Sequence, residues 1–299
     1  MHSLFGELGR RLADKWLSPL TPPGLLFLAT AVVACALGHA HALDHRALAR
    51  RAEEWAAALA GEPAAVAALA LVAALLAASG AGLAVEAASG LTQRLWLGTW
   101  PRLFRPLARY LTNRRASRWQ EAHEQVTAAR GRPPEGRPGT DRTIDELAAR
   151  RNRISLARPT RPTWMGDRVA AVESRVFHQY GLDLVSTWPR LWLVLPDHVR
   201  AELRTARTQF DTAATLETWG AALALLAALW WPAAPIALIL GTIAWYRGRA
   251  TVTTYTDLVE AAIDLHGREL AITVGGPTID NQLTTEVGHT ITRLFRKGA

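Results

Sequence analysis

Four stretches without Asp, Glu, Lys or Arg run through this chain as two close pairs, Gly24 to Leu43 with Ala64 to Val85 and Trp219 to Trp231 with Ala233 to Tyr246. Roughly 130 arginine-rich residues separate the pairs, far beyond a loop of one compact domain. The apolar residues within each stretch are consecutive, not spaced as on one face of a soluble helix, so a single soluble core is the poorer account. The pattern predicts an all-α integral membrane protein, with four transmembrane helices in two hairpins and a helical cytosolic domain. The expected organisation is an N-terminal arm and first hairpin over 1–90, a basic cytosolic insert over 91–212 with a linker near 129–141, a second hairpin over 213–252, and cytosolic C-terminal helices over 253–299.

The mean hydropathy of +0.05 averages these two unlike parts. A net charge of +8 and a pI near 10.6 suit nucleic acid or an anionic surface equally. Distribution favours the membrane: the arginines gather where apolar stretches end and form no nucleic-acid-binding motif, so anionic lipid headgroups are the expected partner and nucleic acid is not. Lys15 and Lys297 are the only lysines. Cys35 is the only cysteine, which rules out an intrachain disulfide, and it reads as a small hydrophobe within the first stretch.

The first stretch, about twenty residues at 1.5 Å each, matches a ~30 Å hydrocarbon core. Arg10, Arg11 and Lys15 before it and Ala40-His41-Ala42 at its end resemble a signal peptide, but its length and the long preceding arm favour an uncleaved helix. The second stretch carries Ser79, Gly80 and Gly82, small residues expected to let a neighbouring helix approach. Asp44 to Gly61 reads as an amphipathic helix with Trp55 at the interface.

The third and fourth stretches are each only about 20 Å long as helices and must borrow from their flanks. Extension to Ala213 takes in Glu217, and extension to Val252 takes in Arg247 and Arg249, which can snorkel. A re-entrant hairpin is the alternative. Trp230, Trp231, Pro232 and Pro235 suit a turn at headgroup depth. Arg94, Arg102, Arg105 and Arg109 after the second stretch, and Arg247 and Arg249 after the fourth, place those ends in the cytoplasm, with both termini inside.

Leu91 to Trp119 interleaves aromatic and aliphatic residues with arginine, as in a helix lying on the inner membrane surface or one packed on the rest of the protein. Thr143 to Glu146 fits a capping box opening a helix through Arg151. Pro162-Thr163 precedes a helix to Tyr180 that Gly181 ends, and Asp197 begins a long helix expected to continue into the third stretch. Ile279, Leu283, Val287, Ile291 and Leu294 mark a last amphipathic helix after Thr278. The hexapeptides Thr99-Trp-Pro-Arg-Leu-Phe104 and Thr187-Trp-Pro-Arg-Leu-Trp192 nearly repeat, yet they stand on opposite sides of their pairs, which argues against simple duplication. They make Trp96, Trp100, Arg102, Arg105, Trp188, Arg190 and Trp192 candidate membrane-interface residues, with Trp230 and Trp231 at the outer turn.

Arg161-Pro-Thr-Trp-Met-Gly-Asp167, Ala170-Ala-Val-Glu173, Tyr180-Gly-Leu-Asp183, Trp188-Pro-Arg-Leu-Trp192 and Leu195-Pro196 stand in that order. With the apolar pair that follows and Asp264-Leu-His266, this half of the chain resembles a group of uncharacterised bacterial, notably actinobacterial, multi-pass membrane proteins. The resemblance implies architecture and supplies no activity. The first motif usually reads Pro-Thr-Arg-Leu-Gly-Asn in that group, so Trp164, Met165 and Asp167 depart from it.

Glu86 and Glu217 are the candidate pore or sensing residues, since an ionisable group beside an apolar run either faces a cavity or marks the membrane boundary. His39, His41 and His45 show no third metal ligand, and Asp257, Glu260, Asp264 and His266 read as a solvated or arginine-paired helical face. No phosphate loop, dinucleotide fingerprint, nucleophile elbow or zinc motif occurs. The expectation is a non-enzymatic protein without catalytic residues, cofactor or metal. It would be a homo-oligomeric pore or channel-like assembly gated by its cytosolic helices, or alternatively a membrane-anchored scaffold or sensor recruiting a cytosolic partner.

Overall fold

The computed structural model describes residues 21–131, 140–275 and 283–296, and these are all-helical. The helices are α1 (Thr21–Leu37), α2 (His45–Ala60), α3 (Ala64–Trp96), α4 (Arg105–Arg130), α5 (Thr140–Ile154), α6 (Trp164–Tyr180), α7 (Leu184–Val194), α8 (Asp197–Leu226), α9 (Ala233–Thr273) and α10 (Thr285–Arg296), with a single 3-10 turn at Arg102–Phe104. The chain divides into two compact units, Met1–Thr92 with Thr212–Tyr246, and Gln93–Asp211 with Arg247–Ala299. The divisions fall at 92/93, 211/212 and 246/247. Helices α3, α8 and α9 contribute residues to both units.

In the first unit, α3 is the one helix among the described residues long and apolar enough to cross a membrane. Its most apolar 18-residue window has a mean hydropathy of 2.2, yet only 6% of it is buried. A helix that is apolar all round requires an apolar surrounding, and here the protein does not supply it. Its Leu69, Leu71, Leu76 and Leu83 are all more than half exposed. The first stretch is shorter than expected: α1 ends at Leu37, where Gly38 adopts φ +60, so its 17 residues cover about 25 Å. Of the expected small residues on α3, Gly82 is buried and Ser79 half-buried. A Cβ on Gly24 would collide with the Ala78 carbonyl, whereas Gly80 faces open space.

The core of this unit joins α1 to the adjoining ends of α8 and α9: Ala34, Leu223, Leu226, Ala233 and Ala237 are buried together, with Phe27 and Trp230 against them. Phe27 lies 5.7 Å from the Trp219 ring. Trp230 Nε1 donates to the Ala42 carbonyl at 2.9 Å, and His39 Nδ1 lies 2.8 Å from the Leu229 carbonyl oxygen, so the turns after α1 and α8 share one end of the unit. Asp44 caps α2, receiving the Arg46 and Ala47 amides at 3.0 Å each.

The second unit is built on a core from α6 to α10 that includes Val176, Leu191, Leu203, Ile263 and Ile291, each about 2% exposed or less. Thr163 caps α6 and Gly181, at φ +66, closes it, as the sequence indicates. Helix α5 opens at Thr140, three residues before the expected capping box, and α4 runs to Arg130, two residues into the expected linker; 132–139 lie outside the described residues. Helix α10 starts at Thr285, later than expected, with Val287 and Ile291 buried but Leu294 exposed; Thr278 and Ile279 lie outside the described residues. The two similar hexapeptides adopt unlike structures. The first is irregular over 99–101 and then forms the exposed 3-10 turn, and the second lies inside α7 with Pro189 within the helix. Tertiary packing overrides local similarity there.

Asp167 organises the loop before α6. Its side chain is 2% exposed; one oxygen accepts the Thr160 and Arg161 amides at 2.8 Å, and the other accepts Nε and Nη2 of Arg115 at 3.0 and 2.8 Å. Arg115 also donates to the Ile154 carbonyl at 2.9 Å, tying α4 and the end of α5 to α6. Asp167 therefore has a structural role, holding the loop before α6 against Arg115.

Candidate functional site

The first unit holds an open cavity of about 760 Å³ between the α8 and α9 segments that belong to it. Small residues make the space: Gly220 and Ala224 on α8 face Ala237 and Gly241 on α9. A Cβ on Gly220 would lie 3.4 Å from the Ala237 carbonyl oxygen and the Gly241 nitrogen, so glycine sets how closely the helices approach. One carboxylate lines the cavity. Glu217 Oε2 is shut from solvent without a hydrogen-bond partner, and the Glu217 oxygens would stand 3.6 and 3.8 Å from a Cβ on Gly241. One residue on, Thr218 donates to the Ala214 carbonyl at 2.8 Å, and its hydroxyl lies 2.9 Å from that of Thr92 on α3. A carboxylate left alone in apolar surroundings is costly, and it is satisfied by a proton, a cation or a donor from another molecule.

Glu86 is exposed on α3 and borders no described cavity. It lies about 33 Å along the helix from Ala64, where a helix leaving a ~30 Å core would place its first charge. The two sequence candidates therefore differ in their surroundings: Glu217 lines a cavity and Glu86 is exposed.

The candidate interface residues separate likewise. Trp96 is corrected: it is 7% exposed, 5.9 Å from the Phe210 ring and packed where a Cβ on Gly248 would meet it, so it is a core residue of the second unit. Its carbonyl also accepts the Thr163 hydroxyl. Trp100 is half-buried, with Nε1 donating to the Leu95 carbonyl at 2.9 Å, while Arg102 and Arg105 are exposed. Trp188 packs against the core of the second unit with its ring 6.0 Å from Trp192, Arg204 lies over Trp192, and Arg190 lies over Phe295 at 4.7 Å. Trp230 is half-buried and Trp231 is 46% exposed. Arg249 stacks on Trp164 at 4.1 Å, and Gly248 and Val252 are buried in the second unit, so the fourth apolar stretch ends earlier than Val252.

The acidic tract on α9 is paired, largely with α6. Asp257 meets Arg168 at 2.6 Å, Glu260 meets Arg175 at 2.8 Å, Asp264 accepts the Tyr180 hydroxyl at 2.7 Å, and His266 pairs with Glu269 at 3.0 Å. Among the described residues no group of three or more metal-ligating side chains forms. Burial, reinforced by the bond to Asp264, pushes the Tyr180 hydroxyl from its ordinary 10.0 up to about 12. Its stabilising contribution is complete below about pH 10 and is lost as pH rises through about 12. Ultraviolet titration of phenolate in the detergent-solubilised protein is expected to show a late-ionising tyrosine that Tyr180→Phe removes and Asp264→Asn shifts downward. An unchanged titration in both variants would refute the assignment.

No family model, curated protein or solved structure matches the chain. The functional reading therefore rests on the residues themselves.

Proposed function

We propose that the chain is a multi-pass bacterial cytoplasmic membrane protein whose copies associate into a pore or channel-like assembly, with cation passage governed by Glu217. The observation that carries this reading is the solvent-excluded, unpartnered Glu217 oxygen beside an open cavity lined by small residues. In lipid such a residue marks an ion or proton path or an inter-subunit contact. The almost wholly exposed apolar surface of α3 supports membrane residence. Four membrane helices follow if α1 and the first-unit segments of α8 and α9 complete their crossings by local bilayer thinning or by their flanks. Helices α8 and α9, shared by both units, are the route by which cytosolic helices would gate the assembly. Both termini are cytosolic in this reading, and the resemblance to actinobacterial multi-pass proteins agrees with it.

Planar-bilayer recording of the reconstituted full chain tests it. Wild type is expected to conduct cations, Glu217→Gln to lower that current severalfold, and Glu86→Gln to leave it unchanged. Absence of current at every applied voltage, with the protein present in the bilayer, would sink the pore. Recovery of one stable cytosolic partner in that case would favour the alternative, a membrane-anchored scaffold or sensor.

A further inference from the structure

A second cavity lies wholly within the other unit and has the opposite chemistry. It measures about 470 Å³ and is lined by Trp100, Arg105, Arg109, Thr112, Asn113 and Arg161 among others, with no carboxylate in its wall. Two loops and the start of α4 build it. Gly98, at φ +74, lies against Pro162 so closely that a Cβ would stand 2.9 Å from the proline Cδ. The opposite wall is fixed by Asp167, which holds the Thr160 and Arg161 amides. The Trp100 indole is held by its bond to the Leu95 carbonyl.

Other arginines in this unit are paired with carboxylates, as Arg115, Arg168, Arg175 and Arg296 are. The side chains of Arg105, Arg109 and Arg161 make no hydrogen bond or ion pair among the described residues. Three unneutralised guanidiniums beside hydroxyl and amide groups form a donor-rich surface suited to a phosphate. Alongside it, Leu103 is 81% exposed, Phe104 47%, Leu107 48% and Tyr110 61%. Free phosphate has no use for these apolar side chains, whereas a phospholipid brings acyl chains to cover them.

We propose that this cavity binds the phosphate of an anionic phospholipid headgroup, with the 3-10 turn and first turns of α4 set into the surrounding leaflet. The proposal rests on the reading of the chain as a membrane protein and gives one lipid a defined seat on it. Arg102 adds to the attraction without lining the cavity. At about 1 kcal/mol for each basic residue near an anionic surface, three arginines amount to a preference on the order of a hundredfold, which an organised site meets or exceeds.

Native mass spectrometry of the full chain in dodecylmaltoside, given phosphatidylglycerol and phosphatidylcholine in equal amount, tests the site. Wild type is expected to retain phosphatidylglycerol at least tenfold over phosphatidylcholine. The variant Arg105→Gln/Arg109→Gln/Arg161→Gln should lose that preference, while the corresponding lysine variant should keep most of it. The double variant Arg105→Gln/Arg109→Gln, confined to the exposed face of α4, gives the same readout if the triple variant folds poorly. Equal retention by wild type and the double variant would overturn the proposal. Displacement of phosphatidylglycerol by millimolar inorganic phosphate, or co-purification of nucleic acid lost in the arginine variants, would overturn the lipid assignment. Carbonate extraction of cell membranes is run on the same proteins: release of wild type into the soluble fraction refutes membrane insertion whatever the lipid counts show.

Discussion

Replacement of Asp167 by alanine is expected to destabilise the second unit by about 3–5 kcal/mol, the range for removing one partner of a buried ion pair. The loss would not be confined to one contact. Arg115 would keep its bond to the Ile154 carbonyl but lose the carboxylate oxygen that accepts both its Nε and Nη2, and the Thr160 and Arg161 amides would lose their shared acceptor. Asp167→Asn retains an oxygen for the two amides but turns an NH2 donor toward Arg115 in place of the accepting oxygen, so a smaller loss of about 1–3 kcal/mol is expected. Thermal unfolding in detergent provides the measurement. The double variant Asp167→Ala/Arg115→Ala should be less destabilised than the sum of its parts, because the uncompensated guanidinium is gone. Additive losses, or an alanine variant as stable as wild type, would show that the network does not hold α4, α5 and α6 together.

This network could not be read from the sequence, and the reason is physical. Asp167 and Arg115 lie 52 positions apart, and no periodicity relates them. What was legible was local. Thr163 and Gly181 declare the ends of α6, and Asp44 the start of α2, through capping chemistry within a few residues. The continuity of α8 and α9 was legible because helix-forming sequence runs uninterrupted from polar into apolar composition. The interface residues were partly misread for the same reason that composition is a weak guide to packing: Trp96 and Trp100 share a neighbourhood rich in arginine, yet Gly248 makes room for one of them in the core. Glu86 and Glu217 were indistinguishable in sequence, each a carboxylate beside an apolar run. The pairing of Gly220 with the Ala237 to Gly241 turn of α9 separates them, by placing Glu217 at a cavity while Glu86 stays exposed.

Gly288→Ala is expected to detach α10, with a loss of about 3 kcal/mol or more from overpacking and the exposure of buried groups. A Cβ at this position would overlap the Tyr180 carbonyl oxygen and stand 2.8 Å from its carbon. The obstructing atoms are backbone and cannot rotate aside. Nor can that backbone yield readily, because Gly181 holds φ +66 and donates its amide to the Phe177 carbonyl at 2.9 Å. The relief available is for α10 to withdraw. That motion breaks the bond from the Thr292 hydroxyl to the Gly181 carbonyl, the bond from the Asp183 amide to Thr292, and the pair between Arg296 and Asp183. It also exposes Val287 and Ile291, now 3% and 1% exposed. Hydrogen exchange should therefore rise across Thr285–Arg296 and at the end of α6, while thermal unfolding moves to lower temperature. Gly90→Ala is the matched control, since a Cβ there meets nothing within 4 Å, and it should be neutral or stabilising by about 1 kcal/mol through helix propensity. Wild-type protection of α10 in Gly288→Ala would mean that the helix does not approach Tyr180 this closely. Selective loss there, with Gly90→Ala intact, would locate the tightest backbone contact of the second unit at the carboxyl end of α6.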